Sequence, residues 1–402
     1  MSFFDELDSG LTARELALVR DTERFCTEAL APRLAQARSR GEPCERTVIA
    51  QWAALGMLGL QVPEEGGGFG ASFLCKVRIA QTMAGHGFAA AFCLNNMQGM
   101  ATRLWRHGSA VQKERLLPGL LAGSLIGAPA MSEPTAGSDL TQLRSQAVRT
   151  EGGWLLDGTK AWVSNGVIAN LLMVLARTTA DDGSQAIAGF LVEPEAGKAF
   201  AATPHELPGA MAFRLAEIRF ERHFVPDWAL IHAPGEAFRA SMEAINAARV
   251  HVAAMCTGSL HAALCTAVAY CGQRTAFGKP LLAHQGLQWA LAEVAARLEA
   301  ANALVVKAAR RIDAGTCGPE LAASAKKIAV ETATEGIEQC IRAMGAVGAT
   351  APSGLVALAS EVRLAAFADG STEMLNDRIG RGLAAAYPSA PARGEQQGTK
   401  QP

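Results

Sequence analysis

The sequence predicts an α+β chain in three parts: a helical N-terminal domain over 1–123, a middle antiparallel β domain over 124–232 and a C-terminal helical bundle over 233–385. Three observations predict it. Apolar residues recur at helical intervals as far as about Ser124; short β-like runs broken by Gly and Asp turn signals follow; from Gly235 the helical spacing returns and lengthens.

Thr12 and Glu15 have the spacing of a capping box, and Leu18, Thr22, Phe25 and Ala29 follow on one helical face. Further helices are expected at Val48–Leu58, Ser72–Ala84 and Asn96–Trp105. The run "EEGGGFG" (Glu64–Gly70) lacks the Lys-Ser/Thr ending of a phosphate loop, so it reads as a flexible connection. In the middle part "AVRTEGGWLLDGTKAWVSN" holds two strands around a turn, and "LLMVLART", "AIAGFLVEP" and "LAEIRFERHFVP" supply more. Leu287, Leu291, Val294, Leu298, Ala301 and Val305 form one stripe of a long bundle helix. Pro319 suits a first helical turn and Gly345 a stop. The polar tail, 386–402, reads as disordered.

Composition narrows the function classes. The chain has 402 residues, half of them hydrophobic, and a formal net charge of -1. That balance gives no reason to expect nucleic acid. No apolar run in the sequence reaches spanning length, so no membrane partner is expected. Nine cysteines stand singly with no C-x-x-C pair, which reads as a reduced, cytoplasmic protein without a metal site.

Four places carry candidate chemistry. Arg249 falls on the apolar stripe of Phe238, Met242, Ile245, Val252 and Cys256, where a guanidinium needs a partner unless its head reaches water or a carbonyl. "RTAFGKP" (Arg274–Pro280) offers a phosphate-binding fork and an aromatic ring, or an ordinary basic turn. "MSEPTAGSDL" (Met131–Leu140) is a loop of small and hydroxyl residues that either presents amides to a ligand or simply turns the chain. Asp369 lies just ahead of a helix, so by position it is a cap or a catalytic carboxylate.

These segments, with "LDGTKAWVSNG", "RTAFGKPLLAHQGLQWALAE" and the spacing from "MGAVG" to "FADGSTE", resemble the acyl-CoA dehydrogenase superfamily from about Leu11 to Leu383. The resemblance implies that family's fold, with a four-helix C-terminal bundle, FAD as cofactor and an acyl-CoA or carrier-protein acyl thioester as substrate. It implies a homotetramer or homodimer, and electrons passing to an electron-transferring flavoprotein or to oxygen. Position by position, it implies that Met131 and Ser132 line the flavin's pyrimidine side and that Trp162 and Ser164 meet the ring and its N5 edge. Arg274, Phe277 and Gln285 would reach the FAD of a neighbouring subunit, Gly345 and Gly348 would lie near the FAD diphosphate, and Arg342 stands where the family usually has Gln, arginine also serving phosphate. Ser138 would lie near the thioester, and Arg249 beside the base. Where the main branch has Tyr-Glu-Gly-Thr, this chain has Ala368, Asp369, Gly370 and Ser371; Ala368 and Gly370 would touch substrate and Ser371 the cofactor. The base is therefore expected to be Asp369, since the alternative base position is Ala248, with Glu373 the nearest rival. Ala346, Ser360 and Glu361 are further departures from the family pattern. The resemblance extends to nitroalkane oxidases, which use an aspartate base, and a flavin-binding protein without turnover is the third reading.

Overall fold

The structure, a computed structural model, describes residues 3–40, 44–180, 182–194, 200–206 and 214–388. Most of the expected disordered tail, 389–402, lies outside the described residues.

Among the described residues the chain opens with the α-helices α1 (Asp5–Asp8), α2 (Ala13–Phe25), α3 (Ala31–Arg40), α4 (Glu45–Ala54), α5 (Phe73–His86), α6 (Phe88–His107) and α7 (Ala110–Ala122). The Thr12–Glu15 capping box forms as expected, and the Ser72 side chain caps α5. Two expectations need correcting. α4 ends at Ala54, because Gly56 turns left-handed and begins a separate one-turn helix. Glu64–Gly70 is a tight, packed turn rather than a flexible connection: Phe69, Gly70 and Ala71 donate to the carbonyls of Gly59, Val62 and Leu60. A Cβ at Gly68 would stand 2.1 Å from the Val62 carbonyl oxygen, so only glycine allows this approach.

The middle domain holds β1 (Gly127–Ala130), β2 (Gln146–Thr150), β3 (Gly153–Ser164), β4 (Leu171–Thr179), β5 (Gln185–Val192), β6 (Phe200–Pro204), β7 (Leu215–Pro226) and β8 (Leu230–His232). They form one sheet in the order β6-β7-β3-β2-β4-β5-β8, with β1 also on β4. The sheet is mixed rather than antiparallel throughout, since β1 and β2 both run parallel to β4. Ala130 pairs with Val174 and Gln146 with Arg177, so β1 and β2 follow one another along the same side of β4. The intervening segment, Met131–Ser145, is an excursion thrown out of that strand line opposite Leu175 and Ala176. A connection of that length lets successive strands keep one direction, which a tight hairpin cannot do.

The C-terminal part consists of α8 (Ala237–Gln273), a two-stranded hairpin β9–β10 (Thr275–Ala276, Lys279–Pro280), α9 (Gln285–Asp313), α10 (Pro319–Met344), α11 (Leu355–Val362) and α12 (Thr372–Ala386). α8, α9 and α10 pack on one another, α12 packs on α10, and α5 packs on α8. Gly258 permits the last contact: a Cβ there would lie 2.2 Å from the Gln81 carbonyl oxygen. Among the described residues, α8 is the helix long and apolar enough to cross a membrane by length and composition. Its residues from Val250 to Leu260 are buried in the protein core, so the apolar surface is consumed by packing. The helical parts share one core and the sheet has another. α6 joins them, with Cys93 and Met97 in the first and Met100, Ala101 and Leu104 in the second.

Candidate active site

Asp369 lies on the turn between α11 and α12, with a left-handed backbone (φ 53°) that non-glycine residues rarely adopt. Such a conformation persists only where neighbours hold it, and here two cations do so. Arg249 of α8 donates from Nε to the Asp369 carbonyl at 2.9 Å, and its NH1 donates to Asn246 at 3.0 Å. Lys326 of α10, with none of its surface exposed, donates from Nζ to the carbonyls of Ala368 and Gly370. Three successive carbonyls are thus each held by a buried cation through the backbone rather than through the Asp369 side chain.

That side chain is not a helix cap. Ser371 occupies the N-cap of α12, and no side chain caps that helix end. Burial raises the Asp369 carboxyl above its ordinary value, while Lys326, Arg249 and Arg103 pull it down without cancelling the shift. The rival Glu373 is exposed, and its carboxyl is held low by the Ser371 hydroxyl. Burial also lowers Lys326, to about 8, against the attraction of Asp369.

On the sheet side, Trp162 sits in an irregular stretch of β3 where the pairing with β7 slips between Lys160 and Val163. Its backbone is left-handed (φ 59°) and the residue is 57% exposed. His205 backs one face of that indole at 4.3 Å, 21° from parallel. Ser164 is buried two residues on, and the Ala161 amide donates to the Ser132 carbonyl at 2.9 Å, joining the Met131–Ser132 segment to β3. Buried Glu133 anchors the excursion: it accepts from Lys160 Nζ at 2.7 Å and from the amides of Arg144 and Ser145. Burial pushes its carboxyl up, but Lys160 and those donors more than offset this and hold it low. An open indole face beside backbone amides and small side chains fits a flat heteroaromatic ring such as an isoalloxazine.

The other expected residues stand elsewhere. Arg274 and Gln285 are exposed where α8 passes to α9. Between them Phe277 and Gly278, both left-handed, make a two-residue hairpin turn that leaves Phe277 96% exposed. Arg342 is exposed near the end of α10, and Gly345 turns left-handed (φ 63°) directly after it. Gly348 is buried where a Cβ would meet the Ile341 carbonyl oxygen at 2.5 Å. Ser138 is exposed at the tip of the excursion. Four features escaped the sequence reading: Lys326, Arg103, the Glu133–Lys160 pair and His205. Arg103 left a trace as a charge within the expected helix Asn96–Trp105, and Glu133 and Lys160 lie in the quoted runs "MSEPTAGSDL" and "LDGTKAWVSNG", where nothing local joins them.

A three-part chain with an exposed indole and an amide-bearing excursion on its sheet, and a carboxylate turn held by two cations in its helical part, fits a flavin-dependent oxidoreductase. The comparisons make this specific. The acyl-CoA dehydrogenase N-terminal, middle and C-terminal domains match residues 12–124, 128–223 and 235–384. An acyl-CoA dehydrogenase of Bacillus subtilis (strain 168) is 31% identical over 82% of this chain and 86% of its own. Benzylmalonyl-CoA dehydrogenase of Aromatoleum aromaticum is 32% identical over 92% of this chain and 97% of its own. Among solved structures, a glutaryl-CoA dehydrogenase from Mycobacterium smegmatis in complex with FADH2 superposes with a TM-score of 0.87, at 26% identity, covering 94% of this chain and 96% of that one. The chain belongs to the acyl-CoA dehydrogenase family, and it is an FAD-dependent oxidoreductase acting on CH–CH donors.

Proposed function

We propose that this chain removes two hydrogens from the α and β carbons of an acyl thioester, with Asp369 as the base. Met131, Ser132, Trp162 and Ser164 would hold FAD, which when bound would supply the acceptor for the β hydride. The chain's own residues do the rest. Asp369 takes the α proton, the electron pair left on Cα becomes the new double bond, and the β hydrogen departs with its pair, leaving an α,β-unsaturated thioester. The observation that carries this reading is a carboxyl raised by burial on a turn whose three backbone carbonyls are each held by Arg249 or Lys326. A raised carboxyl is a stronger base, and a fixed turn would hold it within hydrogen-bond reach of the proton it takes. Ala368 and Gly370 flank the base and would touch the acyl group; Ser138 would stand near the thioester and Ser371 near the cofactor.

Arg274, Phe277 and Gln285 project outward, which supports their completing the FAD site of a second copy in a homotetramer or homodimer. Arg342, Gly345 and Gly348 would serve the diphosphate. The thioester is carried by CoA or by a carrier protein, and an electron-transferring flavoprotein would reoxidise the reduced enzyme. The test is a thioester with both α hydrogens replaced by deuterium. The unsaturated product should keep one deuteron and flavin reduction should slow; a product retaining both refutes α-proton removal.

A further inference from the structure

The backbone of Trp162 is fixed on both sides. Lys160 is paired with Glu133, the Ala161 amide donates to Ser132, and Val163 and Ser164 pair with Ala216 and Leu215 of β7. The ring is not enclosed in the same way, since more than half of the residue is exposed. An exposed side chain keeps several staggered rotamers, and a ligand that needs one of them must freeze it at a cost in affinity.

Among the described residues, the ring contact of the indole is with His205. His205 follows directly on β6, and its amide donates to the Leu215 carbonyl at 2.8 Å. β7 lies between β3 and β6 in the sheet. The indole therefore reaches across β7 to meet the imidazole, with centroids 4.3 Å apart and planes 21° from parallel. A near-parallel stack covers one face of a flat ring and leaves the other open to a second ring.

Hydrogen bonding does not account for the imidazole. Its Nε2 is buried and has no hydrogen-bond partner among the described residues. A histidine placed for its polar atoms would not leave a buried ring nitrogen bare. The flat ring is what this position uses, and the indole is what it uses it on.

We propose that His205 is a positioning residue for the cofactor: it fixes the Trp162 indole in the orientation in which the open face receives the flavin ring. This rests on the reading above that FAD lies against Trp162, and adds the residue that sets the ring's platform. His205 acts through Trp162 alone and takes no part in the chemistry.

The experiment titrates FAD into the full chain stripped of flavin, and reads affinity, the visible circular dichroism of the bound flavin, and Tm. The variants are His205→Ala, His205→Phe, Trp162→Ala and the Trp162→Ala/His205→Ala pair. Losing one ring stack and the order it imposes predicts FAD binding roughly 2- to 10-fold weaker in His205→Ala, with an altered flavin dichroism. His205→Phe keeps a flat ring and removes the bare nitrogen, so it should match wild type in both. In the Trp162→Ala background, His205→Ala should have no further effect, because both substitutions remove the same interaction.

If Trp162→Ala weakens FAD while His205→Ala binds it as wild type does, the inference is overturned and the placement of the flavin stands. Equal losses from His205→Ala in both backgrounds, or a His205→Phe protein as weak as His205→Ala, also overturn it, since they mark a role confined to the end of β6. A Trp162→Ala protein that binds FAD like wild type removes the flavin from the indole, and the inference with it. None of these readouts uses a thioester, so a failure of the dehydrogenation reading registers separately.

Discussion

Replacing Asp369 by asparagine separates chemistry from architecture. The cations on the Asp369 turn bind its backbone carbonyls, so Asp369→Asn leaves the bonds from Arg249 and Lys326 in place. The side chain caps no helix, so no capping energy is lost. Burial holds the folded-state carboxyl above its unfolded value of 3.8, so the ionised form is the disfavoured one in the fold. Below the unfolded value the protonated group contributes its full stabilisation, which is lost as pH rises through the folded value. At neutral pH the amide should therefore leave Tm unchanged or raise it. The rate should respond oppositely: loss of a general base costs on the order of 10²–10⁴-fold, about 3–5 kcal/mol of transition-state stabilisation. The assay is anaerobic stopped-flow bleaching of the flavin by a thioester, with Tm and FAD content measured on the same preparation. Unchanged bleaching in Asp369→Asn would refute the assignment. A simultaneous fall in Tm and FAD content would show that the carboxylate is structural. Asp369→Glu, about 1.5 Å longer, should retain reduction with a narrower acyl range.

Flavin reduction by wild type should rise with pH through an apparent pKa above 3.8, as Asp369 deprotonates; a rate that rises on acidification contradicts its role as a base. Lys326→Met strands the carbonyls of Ala368 and Gly370, at about 1–3 kcal/mol each, so Tm and reduction rate should fall together; a variant with wild-type Tm would show that the turn holds itself. Gly348→Ala forces a Cβ to 2.5 Å from the Ile341 carbonyl oxygen, and should cost about 1–3 kcal/mol and loosen FAD, as equilibrium dialysis would show. Arg274→Ala should lower FAD content and oligomeric mass together; a monomer that holds FAD tightly, seen by light scattering, would contradict sharing between subunits.

The legible parts of the fold were those written locally. The Thr12–Glu15 box, Pro319 at the head of α10 and Gly345 at its end each depend on a few neighbouring residues, and each forms as expected. The start of α6 was hidden because Phe88–Cys93 is buried almost all round and so carries no amphipathic period. The parallel pairing of β1 with β4 was hidden because it is set by the excursion between β1 and β2 rather than by either strand. "EEGGGFG" reads as loose because glycine allows both freedom and close approach, and only the facing backbone of Gly59 and Val62 decides between them.

The site divides in the same way. Asp369 was a cap or a base by position, and the empty cap of α12 removes the first reading. Arg249 reaches a backbone carbonyl, as its packing reading allowed, and that carbonyl belongs to Asp369, the residue proposed as the base. Lys326 was invisible because a "KK" pair in a helix reads as a solvated face, whereas one lysine of the pair is wholly enclosed. Lys160 and Glu133 lie too far apart in the chain for any local pattern to join them.

The most direct measurement is an anaerobic titration of the purified, FAD-loaded chain against a panel of acyl thioesters, reading flavin absorbance and product together. At least one thioester should bleach the flavin fully and give one equivalent of α,β-unsaturated thioester per FAD. A flavin that stays oxidised against the whole panel, or one that is reduced by a nitroalkane and by no thioester, would contradict thioester dehydrogenation by this chain.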